Sequence, residues 1–102
     1  MTRTDDPLLT VLDDAWLSLD ELCRMGDVTP DWVAERVADG LLGAAGPAPP
    51  HWRFDAPALR RVRCMVRVEQ HFDAVPELAA LVADLESEIA RLRQRLRRTG
   101  LE

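Results

Sequence analysis

The chain has 102 residues, 47% hydrophobic and 30% charged, and a net charge of −5. These are the proportions of one globular domain with its own core, not of a disordered or disulfide-stapled chain. No run nears the roughly eighteen apolar residues that cross a bilayer, residues 1–14 lack the charged-then-apolar order of a signal peptide, and a cytoplasmic location is expected.

Residues 1–7 are small, charged and closed by Pro7, and read as a disordered tail. Leu8–Leu12 (LLTVL), Asp13-Asp14 and Ala15-Trp16-Leu17 fit a strand, a turn and a second extended piece, with a short helix as the alternative. Ser18 and Glu21 then form a capping box ahead of Leu19, Leu22 and Cys23. Gly26 is expected to end that helix at positive φ. Asp27-Val28 supplies a turn, and Thr29 caps a second helix with Pro30 at its first position. Val33 and Val37, with Trp32 beside them, give its inner face, Gly40 stops it, and Leu41-Leu42 return to the core. Two short helices around a tight turn are a helix-turn-helix.

Gly43–Pro50 (GAAGPAPP) is a proline- and glycine-rich wing with no regular structure expected and no charge at its tip. Trp52-Arg53-Phe54 alternates aromatic in and arginine out, as a short strand edge would. Asp55 caps a third helix with Pro57 in its first turn. Leu59, Val62, Met65, Val66 and Val68 form its buried side; Arg60, Arg61, Arg63 and Arg67 line the outside, partly offset by Glu69. Such an arginine row reads first as a solvated face and second as a phosphate contact.

The third helix ends at Phe72 and Asp73, and Pro76 opens the last one. Val75, Leu78, Val82, Leu85, Ile89, Leu92 and Leu96 then recur at spacings of three and four, a coiled-coil seam. Acids lead (Glu77, Asp84, Glu86, Glu88) and arginines trail (Arg91, Arg93, Arg95, Arg97, Arg98), the order that complements the helix dipole. Glu88 with Arg91 and Glu86 with Arg93 are expected ion pairs. Residues 76–98 would span about 34 Å at roughly 1.5 Å per residue, more than a small core needs. The N-terminal part is expected to pack on the domain and the seam beyond Ile89 to face water. A homodimer through Val82, Leu85, Ile89, Leu92 and Leu96 follows, parallel or antiparallel. The fold expected is mainly α: a winged helix-turn-helix over residues 1–75 with an N-terminal extension, a minor short β element, and a dimerisation helix over 76–98.

Chemistry is sparse. Cys23 and Cys64 are far apart, outside any C-x-x-C pair, and read as buried free thiols. His51 and His71 lack ligand-spaced partners, so neither a metal nor any other cofactor is expected. With no Ser/His/Asp set and no glycine-rich phosphate loop, the chain does not read as an enzyme.

Charge carries more information. Residues 1–50 hold ten acids and three arginines, residues 51–102 eight acids and ten arginines, and lysine is absent. Such asymmetry concerns partners rather than fold. The order of elements resembles the MerR family of transcription regulators, in which the second helix of the motif enters the major groove. Here the outward positions of that helix are Asp31, Glu35 and Asp39, with Arg36 its only cation. Carboxylates oppose the phosphate neutralisation that drives DNA binding, so a MerR-like DNA-binding regulator is the alternative reading, not the first.

A second resemblance fits the charges. LSLDELC (Leu17–Cys23), V-T-P-D (Val28–Asp31), GLL (Gly40–Leu42), W-x-F-D (Trp52–Asp55), the arginine-rich third helix and LxxEIxxLxxRLRR (Leu85–Arg98) together resemble the CbpM-type chaperone modulators over residues 17–98. The LLTVLDD segment is longer than that family's entry strand, and the wing is unusually proline-rich. The resemblance implies a protein partner: the J-domain of a CbpA/DnaJ-type co-chaperone, whose basic helix an acidic modulator would occupy, excluding Hsp70. Asp13 and Asp14 belong to the acidic half, and Asp20, Asp27, Asp31, Glu35 and Asp39 are its candidate contacts.

Overall fold

Each helix starts at a cap that the sequence writes locally. The structure, a computed structural model, describes residues 15–100; the expected tail, the Leu8–Leu12 strand and the Asp13-Asp14 turn lie outside the described residues. α1 spans Leu19–Gly26. Ser18 Oγ accepts from the Glu21 N–H at 3.1 Å, while Glu21 Oε1 accepts from the Ser18 N–H at 2.8 Å. That reciprocal bond to the Ser18 backbone holds the Glu21 carboxyl below its usual range. α2 spans Pro30–Ala38, with Thr29 Oγ1 accepting from the Trp32 N–H at 3.1 Å. α3 spans Ala56–Phe72, with Asp55 Oδ1 accepting from the Ala58 N–H at 2.9 Å.

The end of α1 differs from the expectation. Gly26 stays helical, and Asp27 takes the left-handed conformation, φ 58°. Asp tolerates that region better than most residues, and the Val28 N–H then bonds back to Cys23 O at 3.0 Å. Gly26 has a different task. A Cβ there would stand 2.7 Å from Val62 Cγ1, so the missing side chain is what lets α1 lie against α3. α2 ends as expected: Gly40 has φ 75° and the Leu41 N–H bonds to Arg36 O at 2.8 Å.

The wing is more ordered than its composition suggests. Ala45 and Arg53 form one isolated antiparallel bridge and Leu17 and Phe54 another, the small β element expected, and no sheet forms among the described residues. One 3₁₀ turn covers Pro49–His51. Gly46, at φ 115°, lies where a Cβ would run into the His51 carbonyl. Phe54 is buried and Arg53 exposed, the alternation expected.

α3 is the spine. Its first half contributes Leu59 and Val62 to a cluster with Leu17, Leu22, Val33, Leu42 and Phe54. Its second half contributes Cys64, Met65 and Val68 to a cluster with Ala79, Ala80 and Ala83 of α4, which spans Pro76–Arg98. Trp32 packs against both clusters. The largest fully buried side chains, among them Phe54, Leu22, Leu59 and Met65, each contribute about 1.5–3 kcal/mol on leaving water.

Two expectations are corrected here. The α3 arginines do not form a free outer row. Arg61 Nε donates to Leu41 O at 2.7 Å and its Nη1 to Asp84 at 2.5 Å. Arg63 donates to Met25 O at 3.3 Å, at the C-terminus of α1, and Arg67 donates to Glu86 at 3.0 Å. Guanidinium forks that reach carbonyls and carboxylates on neighbouring segments are struts, not a solvated face. Glu86 is thereby turned to Arg67 and not to Arg93, whereas the Glu88–Arg91 pair forms as expected. The second correction concerns α4, which meets α3 through alanines. Leu78 and Leu85 point away from the domain, so the leucine seam is open before Ile89 as well as beyond it; only Val82 is half-buried. Small residues allow close approach of two helices, and that closeness decided which face turned inward.

Gly26→Val is expected to destabilise the chain by about 1–3 kcal/mol through overpacking against Val62, read as a lower urea midpoint with unchanged slope. Both cysteines are free and buried. Burial and the nearby Glu86 carboxylate push the Cys64 thiol up to about 11, and burial raises Cys23 as well. Below pH 9 both states keep these protons. Between about 9 and 11 the unfolded chain releases them first, so stability falls as pH rises through that window. The chain lacks Tyr and Lys, so urea titrations from pH 8 to 11 isolate the effect; thiol reagents at pH 8 should leave the folded chain unlabelled and label it twice in urea.

Candidate protein-interaction surface

α2 offers the surface on which the charge asymmetry becomes geometry. Residues 31, 35 and 39 fall at helical spacing opposite Val33 and Val37, and Asp31, Glu35 and Asp39 are all exposed. Asp27 is exposed in the turn that leads into α2. Asp20 is exposed too, but it lies in the first turn of α1, about 10 Å along that helix from the turn. The acidic stripe therefore centres on α2 and its entry turn, with Asp20 at the far end of the preceding helix.

The one cation of α2 does not interrupt this stripe. Arg36 is 8% exposed. Its guanidinium lies 4.2 Å from the centroid of the Trp32 ring, a cation–π contact. Nη2 donates to Glu69 Oε1 of α3 at 2.7 Å, and Nη1 donates to Glu35 Oε1 at 3.2 Å. The positive charge is thus closed off by two carboxylates and an aromatic face, leaving an outer surface of carboxylates.

Sequence reasoning placed Arg36 outside and read Glu69 only as a partial offset to the α3 arginines. Both residues carried a signal. Arg36 stands three residues after Val33, and Glu69 stands four after Met65 and seven after Val62, so each occupies an apolar phase of its helix. Opposite charges at two inward phases point to a pair across the helix interface.

A second surface lies on α4. Leu85, Ile89, Leu92 and Leu96 are all 43–55% exposed, and Val75, Leu78 and Leu81 are exposed around them. An apolar stripe of this length is uncommon on a monomer and marks a contact surface.

Among the described residues no group of His, Cys, Asp and Glu could hold a metal ion, and no helix is long and apolar enough to cross a membrane.

No family model matches the chain, and no solved structure matches it. Its sequence is similar to the chaperone modulatory protein CbpM of Pseudomonas entomophila (strain L48), 34% identical over 77 residues that cover 76% of each chain. The CbpM proteins of Pseudomonas putida strains W619 and GB-1 are 32% and 36% identical over 77 residues, again 76% of each chain. At this identity and coverage, the chain belongs to the CbpM family of chaperone modulatory proteins.

Proposed function

We propose that this chain acts in the cytoplasm as a chaperone modulator that binds the J-domain of a CbpA/DnaJ-type co-chaperone and blocks its engagement of Hsp70. The observation that carries the reading is the acidic outer face of α2, whose one arginine is buried between Trp32, Glu35 and Glu69. Complementary charge draws a basic helix onto such a face and suppresses other partners. Asp27, Asp31, Glu35 and Asp39 make the main contact surface, with Asp20 at its edge. The modulator works by occupying its partner, with no chemical step.

The architecture reads as a MerR-like winged helix-turn-helix whose reading helix has been made negative. DNA binding is disfavoured on two counts. The reading helix presents carboxylates, and Arg61, Arg63 and Arg67 are held by Leu41, Asp84, Met25 and Glu86 within the chain. The stripe of α4 is covered by the same stripe of a second copy, giving a homodimer through Val82, Leu85, Ile89, Leu92 and Leu96.

Asp31→Arg with Glu35→Arg is expected to weaken capture of an isolated J-domain at least tenfold and to flatten its salt dependence; unchanged binding would remove the acidic face from the contact. Retention of the wild-type chain on duplex DNA with a steep salt slope would instead favour the regulator reading. Leu85→Asp with Ile89→Asp is expected to halve the mass seen by sedimentation while the circular dichroism spectrum stays helical, since both side chains are half-exposed in the single chain.

A further inference from the structure

Ala83 still packs on α3, but every residue of α4 from Asp84 to Arg98 is exposed. Residues 84–98 therefore form an arm of about 22 Å, at roughly 1.5 Å per residue, with Leu85, Ile89, Leu92 and Leu96 along one side. The positions beside that seam are charged, and their sign changes halfway. On one flank Glu86 follows Leu85, and seven residues on Arg93 follows Leu92. On the other flank Glu88 precedes Ile89, and Arg95 precedes Leu96.

A second arm running the opposite way can be set against this one only in registers that differ by whole heptads, because seam must meet seam. The charges tell those registers apart. With Ile89 against Leu92 of the second copy and Leu85 against its Leu96, the two-fold axis falls between Ala90 and Arg91, the middle of the exposed stretch. Glu86 then stands opposite Arg93 and Glu88 opposite Arg95, each pair occurring twice by symmetry. One heptad nearer the domain, with Ile89 against Leu85, Glu86 faces Glu86 and Glu88 faces Glu88. A parallel pair keeps only Glu88 with Arg93, aligns the helix dipoles, and lays the two arginine-rich ends side by side.

We propose that the arm pairs antiparallel with the arm of a second copy in the first of these registers, with Glu86–Arg93 and Glu88–Arg95 as its interchain ion pairs. The inference rests on the homodimer proposed above and specifies its geometry. Exposed ion pairs add little affinity singly, so the leucines hold the arms together. The flanking charges choose orientation and register, chiefly by repulsion in the alternatives. Contacts within the chain leave room for these pairs. Glu86 accepts from Arg67 and Glu88 from Arg91, but a carboxylate has about four acceptor sites, and Arg93 and Arg95 are exposed.

Cys23 and Cys64 are free and buried, so a cysteine placed on the seam reports alone. Full-length Ile89→Cys and Leu92→Cys chains, tagged to differ in mass, are refolded together and oxidised. The mixed disulfide between positions 89 and 92 is expected to exceed either like-with-like disulfide at least tenfold, since only facing positions come within bonding reach. A second set of variants leaves the seam intact: Glu86→Arg with Glu88→Arg, and Arg93→Glu with Arg95→Glu. Each alone is expected to dimerise at least tenfold more weakly by sedimentation, and their equimolar mixture to regain wild-type dimerisation within threefold.

Like-with-like disulfides as the main product mean a parallel pair and overturn the proposal. A chain that sediments as a dimer yet forms neither kind of disulfide has its contact in another register or elsewhere, which overturns it too. If the cysteine variants no longer dimerise, the charge swaps decide: a mixture no tighter than its components refutes the ion pairs. A wild-type chain that sediments as a monomer removes the homodimer and this register with it, while capture of a J-domain through α2 is judged by its own test.

Discussion

The guanidinium of Arg36, pressed on the Trp32 ring and bonded to Glu69, joins α2 to α3 and at the same time withdraws a positive charge from the outer face. Burying such a pair brings little net stability, because both ions give up their water. Breaking it is costly, since the surviving partner would be a lone charge in the interior. The pair is therefore better understood as a constraint than as a source of stability. It fixes the angle at which α2 meets α3, and it leaves Asp31, Glu35 and Asp39 to set the character of the exposed surface.

The same logic runs along α3. A helix carrying Arg60, Arg61, Arg63 and Arg67 within two turns would repel itself if those charges had only water around them. Arg61 and Arg67 reach acids of α4, Arg61 also reaches the Leu41 carbonyl in the segment after α2, and Arg63 reaches the Met25 carbonyl in the last turn of α1. A carbonyl at a helix end, such as Met25 O, carries partial negative charge and accepts such a donor well. The arginines of α3 are in this way spent on holding the fold, while the acids of α2 face outward and the arginines at the C-terminal end of α4 stay exposed.

What the sequence made legible was local. Ser18 with Glu21, Thr29 with Pro30, and Asp55 with Pro57 each announced a helix start, because a cap is a bond between residues three apart. The acidic positions of α2 were legible for the same reason: helical spacing needs no knowledge of neighbours. Long-range choices were not. Whether an arginine ends in water or on a carbonyl twenty residues away, as Arg61 does on Leu41, depends on packing. The inward face of α4 was hidden because leucines dominate any hydrophobic pattern, while Ala79, Ala80 and Ala83 pass for helix-formers with no side of their own. Gly26 was misread because a helix-ending glycine and a close-packing glycine look alike until Val62 is in view.

The arrangement of α4 has a consequence for how the molecule is governed. Its alanine side serves the chain's own interior and its leucine side does not, so folding and any pairing between chains draw on separate surfaces of one helix. Whatever binds the leucine side can come and go without melting the domain. Cellular abundance could then set the valency of the molecule, one acidic face or two, while each copy keeps its shape.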